Sequence, residues 1–214
     1  MNILARFISQ LKKPTGFPGL IATKAMNRIH SRITSWGLGF LRIEEDFKIL
    51  DVGCGGGKTI SKLAKAARKG KVYGIDHSDV SVKSSTKLNS HLVDQNKVEI
   101  LKASVSSIPY PDNSFDIITG IETYFFWPNL ESDLKEVFRV LKPKGRLLLV
   151  SEIVRTPENE KTIDRFARLA DTSDYMSYKT SDELDQLFIG AGYNNVMVHR
   201  NTDHGWICVE GCKP

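Results

Sequence analysis

Apolar positions first recur at helical spacing in residues 2–12, where Ile3, Leu4, Phe7, Ile8 and Leu11 share one face. Pro14, Gly16, Pro18 and Gly19 then interrupt the pattern. A second helical stretch, 20–36, places Ile21, Ala25, Ile29 and Ile33 at spacings of four, and the Gly37 and Gly39 region closes it. From Phe47 the period changes. Short apolar runs predict strands over 47–52, 71–76, 98–103, 115–119 and 146–150. Helix-spaced segments lie between them, with further helices at about 158–170 and 181–190. Such alternation predicts a parallel sheet with helices on both faces. Two last strand-like runs, 195–199 and 206–209, lie close enough to form an antiparallel hairpin. The two N-terminal helices (1–44) are expected to cap the carboxyl edge of the sheet within one domain, with the core over 45–214 and a helical insertion at about 155–180.

The chemistry concentrates after the first strand, in Lys48-Ile49-Leu50-Asp51-Val52-Gly53-Cys54-Gly55-Gly56-Gly57-Lys58. A buried strand ends in an acid, a glycine turn follows, and a helix begins. Glycines permit positive φ and let a ligand lie against bare backbone, while the helix N-terminus offers unpaired N–H groups. Spacing excludes a Walker A loop, because the residue five before Gly57 is Val52. It also disfavours a dinucleotide fingerprint, which needs a glycine where Lys58 stands. What remains is Asp-x-Gly-x-Gly-x-Gly. A carboxylate at the strand end repels a pyrophosphate but suits an ammonium group.

Three further stretches follow. Asp76 ends the second strand, where a carboxylate offers two acceptors to the two hydroxyls of a ribose; His77 beside it can flank a base or face solvent. Residues 103–116 (ASVSSIPYPDNSFD) form a loop into the fourth strand, with Asp116 read as structural. Gly120-Ile121-Glu122-Thr123-Tyr124-Phe125-Phe126-Trp127-Pro128 leaves that strand at its carboxyl end, where open α/β sheets place their ligands. Three adjacent aromatics are expected to send at least one ring into a pocket.

Together, over roughly 45–155, these residues resemble the class I S-adenosylmethionine-dependent methyltransferases, nearest their small-molecule, quinone-biosynthesis-like branch. The resemblance implies a doubly wound, Rossmann-like, mostly parallel seven-stranded sheet with an antiparallel last strand. It also implies in-line methyl transfer from S-adenosylmethionine to a small-molecule acceptor. Asp51 and Gly53 would then hold the methionine ammonium, Cys54, Gly55 and Gly57 would line its approach, and Asp76 would fix the ribose. His77, Ser104 and the Val105 N–H would serve the adenine, Ser104 standing where the family often carries an aspartate. Gly120 would border the cofactor. His30, Tyr124, Glu122 and, more remotely, His204 are the candidates for a general base.

Composition narrows the alternatives. The chain has 214 residues, is 41% hydrophobic and 26% charged, and is ordinary for a one-domain globular protein. Its net charge of +5 sits mainly before Glu44, where seven Lys or Arg meet no acid. That arm raises a nucleic-acid-binding alternative, although no aromatic-interleaved basic stretch supports it, and no nucleic-acid partner is expected. An NAD(P)-dependent oxidoreductase on a related sheet is the other alternative, disfavoured by Lys58 and Asp51. Three cysteines, Cys54, Cys208 and Cys212, form no C-x-x-C pair, so no metal site is expected; arsenic methylation through them is a minor reading. No apolar run reaches the roughly twenty residues that span a bilayer, and residues 1–13 lack the h-region of a secretion signal. A reduced cytoplasmic setting is the expectation.

Overall fold

The computed structural model describes residues 14–169 and 177–214; the helix expected over 2–12 lies outside them. The elements run α1 (Gly16–Ile29), α2 (Ser31–Leu38), β1 (Lys48–Val52), α3 (Lys58–Ala66), β2 (Lys71–Asp76), α4 (Asp79–Leu88), α5 (Ser90–Asp94), β3 (Val98–Lys102) and β4 (Phe115–Ile121). A one-turn 3-10 helix (Tyr124–Phe126) follows, then α6 (Leu130–Val140), β5 (Leu141–Ser151), α7 (Glu160–Leu169), α8 (Ser181–Gly190), β6 (Asn194–Asn201) and β7 (Trp206–Cys212). The seven strands form one sheet in the order β3-β2-β1-β4-β5-β7-β6. β1 pairs in parallel with both β2 and β4, so the order reverses there. β7 inserts antiparallel between β5 and β6. This is the doubly wound sheet expected, with its last strand antiparallel.

Alternation along β1 shows why both faces are covered. Ile49 joins a core with Ile60, Leu63, Val72 and Ile117, while Leu50 and Val52 join another with Ile75, Ile118, Leu134 and Phe188. Each such side chain, buried, contributes about 1.5–3 kcal/mol. A third cluster seats α2 on the sheet through Ile33, with Ile121, Leu148, Val150 and Cys208 beneath it. Asp116 is structural: it accepts the Lys48 N–H at 2.8 Å and the Lys142 ammonium at 2.7 Å, joining β4 to the start of β1 and β5.

Several boundaries differ from expectation for local reasons. Pro18 lies in the first turn of α1, where its missing N–H has no helical partner to lose. The helix expected over 20–36 breaks at His30 (φ −78°, ψ 2°), whose carbonyl still accepts the Thr34 N–H and hydroxyl. Gly37 closes the approach of α2, since a β-carbon there would stand 2.5 Å from Val150 Cγ2. The stripe Ile21, Ala25 and Ile29 faces outward, with Ile21 55% and Ile29 62% exposed; only Ile33 of that series is buried. Residues 142–145 do not precede β5 but form a bulge within it: Leu141 pairs with Phe115 and Arg146 with Ile117, and Lys144 takes a φ of 65°.

Candidate active site

The glycine turn folds back onto the end of β2. The N–H groups of Gly53 and Cys54 both donate to the Ile75 carbonyl, at 2.8 and 3.0 Å. Gly53, Gly55 and Gly57 have φ of 72°, 51° and 83°, a region where a β-carbon is costly. Their surroundings differ. A β-carbon at Gly53 would meet Thr123 Cγ2 at 2.5 Å, one at Gly56 the Asn27 amide nitrogen at 2.3 Å, and one at Gly57 Ser85 Oγ at 2.4 Å. At Gly55 the nearest atom is the Gly53 carbonyl oxygen, 3.9 Å away. Bare backbone facing open space is therefore found at Gly55. Gly57, expected to admit a ligand, is small because α4 packs against it.

Two buried acids flank the turn. Asp51 is 2% exposed and accepts the Thr119 hydroxyl from β4 at 2.6 Å. Burial pushes its carboxyl up to about 7, against the Thr119 bond, with the charge of Asp76 adding to the rise. Asp76 accepts the Gly55 N–H at 2.9 Å on Oδ2 and the Ser78 N–H at 2.8 Å on Oδ1. Burial raises it too, while those two bonds oppose the rise. The Ser81 hydroxyl also bonds this carboxyl, and of the four lone pairs on its two oxygens some acceptor capacity remains for a ribose hydroxyl. His77 is exposed, with Nδ1 3.8 Å from Asp76 Oδ1. The buried Cys54 thiol is pushed well up by burial and by both aspartates, which leaves it unreactive.

The adenine-side candidates are placed less directly. Ser104 is exposed, and its hydroxyl accepts the Ser106 N–H at 3.2 Å, closing its own turn. The Val105 side chain packs in the core with Val52 and Ile75. Gly120 is required by packing: a β-carbon there would stand 2.7 Å from Leu149 Cδ2 and 3.2 Å from the Thr123 hydroxyl.

At the carboxyl ends of β4 and β5 a third group assembles. His30, at the break between α1 and α2, meets Glu122 and Glu152, and one ligand-type atom from each lies within 4.8 Å of the other two. Glu122 has a φ of 57° and accepts the backbone N–H of Glu152 on Oε1. Burial pushes its carboxyl up to about 8, against that bond, and the neighbouring Glu152 charge adds to the rise. Burial likewise raises Glu152 and lowers His30. Near neutral pH the imidazole is therefore unprotonated and Glu122 keeps its proton.

α1 ties these parts together. Asn27 donates to the Gly56 carbonyl at 3.0 Å, and Ser78, just past Asp76, donates to the Pro14 carbonyl at 2.6 Å. Lys62 of α3 holds the start of α2 through the Ser31 carbonyl at 2.7 Å. The helix thus crosses from the end of β2 over the glycine turn to Glu122 and Glu152.

One ring of the aromatic run borders a pocket as expected, since Trp127 lines a cavity of about 700 Å³ with Pro128, Lys179 and Gln186, but most of the aromatic surface turns into the core. Tyr124, Phe125 and Trp127 are all buried in one core, with Phe126 packed against it, because the 3-10 turn rotates successive side chains inward. Tyr124, offered as a base, is 1% exposed, and burial pushes its hydroxyl up, against contacts with the Lys179 backbone and the Ser151 side chain. His204 lies in the exposed β6–β7 turn, its ring against Trp206. Cys54 and Cys208 belong to separate cores, which removes a three-thiol site. Glu152, Thr119 and Thr123 were not singled out by motif. An acid one residue past the fifth strand, at the ligand-bearing edge, is the signal that marks Glu152.

The family described as a methyltransferase domain matches residues 50–149. The chain is 36% identical over 103 residues to sterol 24-C-methyltransferase erg6 of Aspergillus fumigatus, covering 48% of this chain and 27% of that protein. It is 39% identical over 107 residues to the ubiquinone/menaquinone biosynthesis C-methyltransferase UbiE of Rickettsia akari, covering 47% of this chain and 42% of that protein. The matches thus span less than half the length of these curated relatives. An S-adenosylmethionine-dependent methyltransferase structure from Aquifex aeolicus shares the fold with a TM-score of 0.68 at 24% identity, covering 91% of this chain and 98% of that one. Among the described residues no helix is long and apolar enough to cross a membrane. Residues 50–149, which hold the strand, glycine turn and acids, thus match the methyltransferase-domain family, and the chain shares the fold of an S-adenosylmethionine-dependent methyltransferase.

Proposed function

We propose that this chain transfers a methyl group from S-adenosylmethionine to a small-molecule acceptor held between α1 and the ends of β4 and β5. The observation that carries the reading is the meeting of His30, Glu122 and Glu152 beside the glycine turn. The residues fit the cofactor: Gly55 presents bare backbone to open space, and Asp76 keeps acceptor capacity toward a ribose hydroxyl. Asp51, raised to about 7 without a cation, is a carboxyl that an ammonium group would return to its charged form. When bound, S-adenosylmethionine supplies a methyl on a positively charged sulfur, already activated for displacement. What this chain adds is chiefly placement. Burial keeps the His30 imidazole unprotonated, so a ring nitrogen can take a proton from the acceptor. Glu122, protonated near neutral pH, is instead a donor that can orient the acceptor. The Ile33 cluster beneath α2 fixes the position of His30.

Titration calorimetry of the purified chain with S-adenosylhomocysteine and, separately, NADH tests the reading. S-adenosylhomocysteine is expected to bind and NADH is not, and Asp76→Ala should weaken that binding about tenfold or more, as the loss of a charged hydrogen-bonding group does. NADH binding alone, or no effect of Asp76→Ala, would sink it. Incubating a metabolite extract with methyl-labelled cofactor then identifies the acceptor.

A further inference from the structure

We propose that His30, Glu122 and Glu152 bind a divalent metal ion of the manganese, iron or zinc type at the point where the acceptor docks. Three separate elements deliver the donors: the α1–α2 break, the residue after β4 and the residue after β5. Their ligand-type atoms lie within 4.8 Å of one another. An ion with bonds of about 2.1 Å allows donors to be at most roughly 4.2 Å apart, so small side-chain rotations close the site. One imidazole with two carboxylates suits those ions rather than the thiolate-seeking ones.

The charge balance points the same way. Among the described residues no Lys or Arg pairs with Glu122 or Glu152, although most other half-buried acids here have such a partner or accept hydrogen bonds from side chains. The hydrogen bond that reaches the pair is the Glu152 N–H on Glu122 Oε1, which leaves Oε2 and both Glu152 oxygens open to a ligand. A dication would give both half-buried carboxyl groups the cation that no Lys or Arg supplies, displacing any proton they hold.

This inference rests on the methyl-transfer reading for its purpose. A hydroxyl or amine of the acceptor, bound to the ion, becomes more acidic. Its proton then leaves to water; in the metal-loaded chain His30 is a ligand, and the base role given to it above belongs to the metal-free chain.

The test uses the full chain, freed of metal by a chelator and titrated with cobalt(II) as a visible-absorption probe, while S-adenosylhomocysteine binding is measured separately in chelator. One cobalt per chain with ligand-field bands is expected. His30→Asn and Glu152→Gln should each weaken loading at least about tenfold, and each variant's melting transition shows that it is folded. Absence of saturable loading, or loading indifferent to both substitutions, overturns the site even where S-adenosylhomocysteine binds. Cobalt loading without S-adenosylhomocysteine binding would instead uphold the metal site and remove the methyl-transfer reading.

Discussion

Glu122 is the residue on which most of the local chemistry turns. A non-glycine side chain at φ 57° costs about 1–3 kcal/mol, and here that strain places a carboxyl against His30 and Glu152. Its titration has a testable sign. A carboxyl pushed up to about 8 in the folded chain, and ordinary at about 4.3 when unfolded, holds a proton that the unfolded chain has lost. Its stabilising effect is full in acid and drains away as pH rises toward 8. Asp51 acts in the same direction, ending near 7. In chelator and without cofactor, the melting temperature should therefore fall from pH 5 to pH 8, and Glu122→Gln should flatten the upper part of that fall; parallel curves for the two proteins would count against it. Glu122 and His30 were readable because a strand end and a cap helix are places where polar residues serve ligands. Glu152 belongs to no motif, and its place one residue past the fifth strand is the signal that marks it.

At the scale of the element, α1 shows where periodicity misleads. Its apolar stripe of Ile21, Ala25 and Ile29 suggested an inward face, yet Thr23 is fully buried while Asn27 and His30 reach the site. The usual rule assumes an apolar surface beneath the helix. Here the helix lies on the polar carboxyl edge of a sheet, so its polar face turns in. The aromatic turn sends most of its rings into the core, because a strand-like reading sends neighbours to opposite sides and a 3-10 turn does not, while Trp127 at its end still borders a pocket. By contrast β1 and the glycine turn were legible, since an apolar run ending at positive-φ glycines has few other shapes. α2 yields a prediction of its own. Gly37→Ala would press a methyl 2.5 Å from Val150 Cγ2, and overpacking of this kind costs about 1–3 kcal/mol. Urea unfolding should show that loss, and S-adenosylhomocysteine binding should weaken with it as α2 lifts His30 and Asn27 out of place. A variant equal to the parent in both measurements would mean that α2 does not govern the site.

For the molecule as a whole, the reversal of strand order between β1 and β4 collects the glycine turn, Asp76, Glu122 and Glu152 along one edge. That architecture was readable from alternating periods. The bulge that begins β5 was not, because Pro143 and Gly145 mimic a plain stop. The far side of the sheet is held by a buried carboxylate: Glu210 of β7, 2% exposed, pairs with Arg146 of β5 and, at 2.9 Å, with His199 of β6. Glu210→Ala unpairs a partly buried guanidinium across three strands and should cost about 3 kcal/mol, read as a lower urea midpoint; a loss under about 1 kcal/mol, the worth of an exposed pair, would contradict it. The segment from Pro14 to His30 that carries α1, meanwhile, is fastened at Pro14 to the turn beyond β2, at Asn27 to the glycine turn, and at His30 to the ends of β4 and β5. One rod thus touches three corners of the edge, so a change that tilts it disturbs all three together.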